Sequence, residues 1–159
     1  MLQPSMPVVP SPSGGRRGQH QHRARFHLVS RIQKASRALV GNYAGLDSAG
    51  HPDVYAALRG SAVTGESFRT GAPFDLGRQS DLDVALASPT LFQRAQELGI
   101  ALRSAGHRTK PLDPDELRAL GLTPVVQVLH QRMARRISIM IYDSPASIEQ
   151  RGVNLSIPR

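Results

Sequence analysis

Residues 81–87, Asp-Leu-Asp-Val-Ala-Leu-Ala, constrain the fold more than any other stretch of this chain. Side chains alternate faces along a strand, so Asp81 and Asp83 share one face while Leu82 and Val84 turn into a core. Ser88 then reads as a helix N-cap with Pro89 at the first helical position, so the strand runs directly into a helix. Two carboxylates a few ångströms apart repel each other unless a cation sits between them. A hard, oxygen-preferring cation such as Mg²⁺ meets that need and usually brings substrate phosphates with it. Upstream, Leu58-Arg59 is followed by Gly60-Ser61, whose small side chains let backbone N–H groups come close to a phosphate.

Around this strand the pattern predicts an α/β fold, a small mixed sheet with helices packed on it. Residues 1–24 are rich in Pro, Ser, Gly and Arg and read as a disordered arm, either a linker or the edge of something longer. Residues 25–159 form the expected domain. It begins with a basic amphipathic helix over 25–43, on which Leu28, Ile32, Ala35 and Leu39 recur at helical spacing. A short helix over 53–58 leads into a strand over 58–63, and residues 65–79 form a long polar connection. The helix opened by Ser88 is expected to run to about Ala105 and to stop at Gly106. Asp113-Pro114 and Thr123-Pro124 each announce a further helix, the second running to about Ala134. Ile137–Tyr142 is β-rich and ends at Asp143-Ser144-Pro145.

Composition narrows the chemistry. With 159 residues and no cysteine, the chain is long enough for one core, and disulfides, thiolate metal sites and cysteine nucleophiles are excluded. No apolar run reaches the length of a membrane span. The net charge of +8 is unevenly placed. No acid precedes Asp47, whereas seven basic residues do, and the remainder is nearly neutral. A basic arm of this kind binds nucleic acid or another anionic surface, or is simply solvated. The histidines show no ligand spacing, and the few aromatic residues make no stacking platform.

Gly60-Ser61 followed by Asp81-Leu82-Asp83 resembles the DNA-polymerase-β-like nucleotidyltransferases, which carry a Gly-Gly or Gly-Ser pair and then Asp-x-Asp or Asp-x-Glu on the next strand. The wider text, Arg59 to Gly65 and Gly77 to Asp83, looks closest to nucleotidyltransferase-like C-terminal domains of bacterial secreted toxins. The resemblance covers roughly residues 51–143. It implies a transferase that moves a nucleoside monophosphate from an NTP to an acceptor hydroxyl on tRNA or protein. Asp81 and Asp83 would hold Mg²⁺ and Gly60 and Ser61 the phosphates, with Arg69 and Arg78 assisting. It further implies action in a cytoplasm after secretion or delivery within a larger polypeptide, and an immunity or antitoxin protein as partner. Two departures stand out. The interval between Ser61 and Asp81 holds 19 residues, longer than the family's. Many active members also carry a third acid on a later strand, whereas Ile137–Tyr142 has none, which leaves Asp143 or Asp75 as candidates. Alternative readings are a catalytically degenerate module that binds RNA or a protein, and the transferase half of a toxin–antitoxin pair.

Overall fold

Residues 82–87 do form a central strand. The structure, a computed structural model, describes residues 15–66, 71, 73, 75 and 79–159, the side chains of residues 15–26 excepted. Strand β1 (Tyr55–Arg59) lies antiparallel to β2 (Leu82–Ala87), which lies parallel to β5 (Ile137–Tyr142). Short strands β3 (Leu102–Arg103) and β4 (Arg108–Thr109) extend the sheet beyond β5, and β6 (Asn154–Ile157) closes the other edge beside β1. The order is therefore β3-β4-β5-β2-β1-β6, a mixed six-stranded sheet with helices against it, as the sequence pattern predicts.

The helices other than α7 (Pro145–Glu149) collect on one face. Helix α1 (Gly15–Val40) supplies Ala35, Ala38 and Leu39 to the main core. Helices α4 (Pro89–Glu97) and α6 (Thr123–Met133) add Leu91, Ala95, Val125 and Leu129, all packed with Leu82, Val84 and Leu86 of β2 and with Ile139 and Ile141 of β5. Helices α2 (Tyr43–Ser48) and α5 (Pro114–Ala119) complete the connections on this side. The opposite face has a much smaller cluster, Ala57, Ala85, Ala87 and Tyr142 under Ile148 of α7.

Local signals explain the boundaries that agree and those that do not. The Ser88 hydroxyl accepts from the Leu91 N–H, and Asp113 and Glu116 form a reciprocal capping box, so α4 and α5 start where the side chains direct. Thr123 lies inside α6, whose N-cap is Leu122. The order of helix and strand over 53–64 is the reverse of that expected. Residues 55–59 are a strand because β2 and β6 pair with them on both sides, and Ser61–Thr64 is the helix, α3. Helix α4 ends at Glu97 and not near Ala105, because Gly99 turns the chain at φ 70°. Leu98 and Leu102, which a helix running to Ala105 would set on one face with Leu91 and Ala95, are exposed. Helix α1 begins at Gly15, ten residues before the boundary expected between arm and domain. Arg, Gln and Ala are good helix formers, and an absence of apolar residues does not prevent a helix from continuing off a packed one. Helix α7 and strand β6 were not expected at all. No helix among the described residues is long and apolar enough to cross a membrane.

Candidate active site

The register places Arg59, Asp83 and Ser138 side by side across β1, β2 and β5. All three lie on the face opposite the main core, because Leu58, Val84 and Ile139 next to them are buried in it. Directly after Arg59, Gly60 takes φ 66° and ψ −152°, which a side chain would strain. A Cβ there would lie 2.7 Å from the Asp83 Oδ2. The chain thus turns into α3 with its backbone against the Asp83 carboxylate, and glycine is what permits that approach.

Asp83 is half-buried, and that burial pushes its carboxyl above the ordinary value. The charge of Asp81 pushes it further the same way, while a hydrogen bond with Ser138 and the Arg59 charge pull it back without cancelling the rise. Asp81 is more exposed, and its Oδ2 lies 3.9 Å from the Arg136 Nε. The pair is therefore a half-buried carboxylate, Asp83, next to a more exposed one whose charge disfavours the ionisation of Asp83.

Asp83 and Gly60 open onto a cleft of about 1020 Å³, whose walls also include Arg59, Glu66, Arg108 and Tyr142. The Arg59 guanidinium donates to the Tyr142 hydroxyl and to the Arg151 carbonyl, and its Cζ lies 5.4 Å from the Tyr142 ring centre. Its Nε is buried with no hydrogen-bond partner among the described residues. Arg108 is braced by Nε to the Ser104 Oγ at 3.0 Å and by Nη1 to the Thr109 carbonyl at 3.2 Å. Of the carboxylate pair only Asp83 lines the cleft; together with the held guanidiniums of Arg59 and Arg108 it suits an anion that arrives with a cation, such as a metal-bound polyphosphate.

The residues singled out from sequence separate into groups. Asp81, Asp83 and Gly60 are brought together. Ser61 opens α3 beside Gly60 but does not line the cleft. Arg69 and Arg78 lie outside the described residues. Asp143 does not join the pair. The parallel register sets Ser138 beside Asp83, and Asp143 follows the last residue of β5 at the other end of the sheet, roughly 16 Å along the strand. There its Oδ2 lies 2.7 Å from the His107 Nδ1. Burial alone would raise the Asp143 carboxyl, but hydrogen bonds from Ser147, His107 and Ser144 hold it below the ordinary value. Asp75 is also spoken for, by Arg135 at 3.1 Å, Arg31 at 3.6 Å and the Ser80 N–H at 2.9 Å. Burial would raise this carboxyl too, and those partners hold it down. Among the described residues no group of three acidic, His or Cys side chains is placed to hold a metal.

Arg108, Tyr142 and Ser138 were missed. For Ser138 and Tyr142 the signal was present, since alternation along Ile137–Tyr142 puts Ser138, Met140 and Tyr142 on one face. Arg108 carried no signal, because it reaches the cleft through a two-residue strand that only its pairing with Tyr142 positions. No family model, no curated protein and no solved structure matches the chain.

Proposed function

We propose that this protein is a Mg²⁺-dependent nucleotidyltransferase that moves a nucleoside monophosphate from an NTP to an acceptor hydroxyl on tRNA or protein. The observation that carries the reading is the approach of the Gly60 backbone to Asp83, at the mouth of a cleft that also presents Arg59 and Arg108. Burial and Asp81 make the ionised Asp83 costly, so the pair fits a divalent cation, and one or two carboxylates plus substrate phosphates is a usual Mg²⁺ environment. Asp81 and Asp83 would hold the ion, which when bound would neutralise triphosphate charge and polarise the transferred phosphoryl group. Arg59 and Arg108 orient the anionic substrate. Ser138, beside Asp83 across the β2–β5 pairing, favours the ionised form of that carboxyl. The resemblance to toxin domains supports an effector role, with an immunity or antitoxin protein as partner.

A second reading is favoured by Ser138 itself. It stands beside Asp83 on a later strand, and many active members of the resembled family carry a third acid on such a strand, so the chain is then a degenerate module that binds RNA or a protein partner without transfer. One assay separates the two. Protein is incubated with each α-labelled NTP, Mg²⁺ and total tRNA or cell lysate, beside the double variant Asp81→Ala/Asp83→Ala. The transferase reading expects label on an acceptor with the wild type and none with the variant. Nucleotide binding without labelling favours the degenerate module, and absence of Mg²⁺-dependent nucleotide binding removes the transferase reading.

A further inference from the structure

We propose that α1 is a binding element for the phosphate backbone of RNA, held at the end of the domain where Gly60 and the Asp81–Asp83 pair lie. In calling that RNA the acceptor, the proposal rests on the transfer reading; the binding itself does not.

Charge segregation is the first support. All 12 acidic residues lie at or after Asp47, whereas α1 carries seven of the 20 Lys and Arg residues and no acid. Helix α6, against which α1 packs, has no acid either. Lys34 and Arg37 of α1 are exposed, as are His130 and Arg132 of α6 and Arg136 just beyond it. A Cβ at Gly41 would lie 2.7 Å from the Arg132 Nη1 and 3.4 Å from the Arg37 carbonyl, so the Arg132 guanidinium lies across the end of α1. The two helices thus share a cationic surface to which neither contributes an acid. It reaches the candidate site at Arg136, 3.9 Å from Asp81.

Position is the second support. Asp75, bound by both Arg31 and Arg135, pins the middle of α1 beside the start of β5. Slightly earlier in the helix, Leu28 Cδ2 lies 3.0 Å from where a Cβ at Gly65 would stand, and Gly65 caps α3, the helix that Gly60 opens. The basic helix therefore passes the carboxylate end of the sheet. Residues 15–27 then continue it for about 20 Å. That segment contains Arg16, Arg17, Arg23 and Arg25, and its apolar side chains are Ala24 and Phe26 alone. A helix that lies on a membrane needs a broad apolar face, which these two do not make. A solvated polyanion needs the cations only, and Arg contacts to phosphates bring affinity without sequence preference.

The test uses the full chain, a fluorescein-labelled single-stranded RNA and no NTP. Anisotropy is followed from about 50 to 200 mM NaCl, a range over which phosphate contacts weaken steeply. The comparison is with Arg16→Gln/Arg17→Gln/Arg23→Gln/Arg25→Gln, and with the same four positions changed to Lys. Gln, Arg and Lys have similar helix propensities, and circular dichroism checks that helix content is kept. The expected result is RNA binding by the wild type, at least about tenfold weaker binding by the Gln variant, a log–log salt slope shallower by about 3, and recovery with Lys. Equal affinity and slope for wild type and Gln variant would overturn the proposal. So would preference of the wild type for phosphatidylserine vesicles over RNA. RNA binding without NMP transfer leaves this proposal standing and removes the transfer reading; transfer to protein without RNA binding does the reverse.

Discussion

The two faces of the sheet are built from the same strands and differ in almost everything else. One face presents Leu58, Leu82, Val84, Leu86, Ile139 and Ile141 to α1, α4 and α6 and is sealed. The other presents Arg59, Asp83, Ser138 and Met140, with a small alanine-rich cluster under α7 and an open cleft beside it. Apolar burial stabilises the first face at roughly 25 cal/mol per Å². The second contains a half-buried carboxylate next to another acid, an arrangement that disfavours the ionised folded state. Stability is therefore concentrated on one side of each strand, and groups that cost stability on the other. That division is what a substrate site needs, because charged groups held out of water respond strongly to a ligand of opposite charge.

The contrast breaks most visibly at Asp83. Asp83→Asn keeps shape and removes charge, so transfer should fall by roughly 10³-fold, about 4 kcal/mol of barrier, in the labelling assay. The midpoint of thermal unfolding should rise, by about 2 °C, since a disfavoured charge is gone. A drop in both would place Asp83 among the stabilising residues and remove the distinction between the faces. On the sealed face, Leu86→Ala should cost about 3 kcal/mol in urea unfolding while nucleotide binding by the remaining folded protein is unchanged.

A smaller effect distinguishes the carboxylates. Asp75→Asn should cost about 2 kcal/mol, because Arg135 and Arg31 lose a charged partner. The pH dependences of the two acids have opposite signs. The Asp75 carboxyl is held down on folding, so its contribution is full above the ordinary value of 3.8 and is lost as pH falls through the lower folded value. The Asp83 carboxyl is raised, so the folded state holds its proton more tightly. The stability that proton gives is present below 3.8 and is lost as pH rises through the higher folded value. Urea unfolding from about pH 3 to 7 checks both. Asp75→Asn should weaken the acid-side loss, and Asp83→Asn should flatten the decline on the way up.

Much of this was legible in the chain. Alternation over 81–84, where a side chain's face depends only on its position in the repeat, and the β-rich run 137–142 identified the two central strands. Ser88-Pro89 and Asp113-Pro114 marked helix starts, because a cap is a bond between residues three apart. Asp81, Asp83 and Gly60 could be grouped for the same reason, as short motifs on elements that follow one another.

What the tertiary structure decided was everything that depends on pairing between distant segments. Residues 53–64 were ambiguous locally, and only β2 and β6 on either side made 55–59 the strand. Strand register, set by packing across the sheet, put Ser138 beside Asp83 and carried Asp143 to the other end. The same packing gave Asp75 to Arg135 and Arg31, and brought Arg108 to the cleft from a two-residue strand with no pattern of its own. Local sequence determines which way a side chain faces along its own element; which neighbours it meets is settled by free energy summed over the whole core.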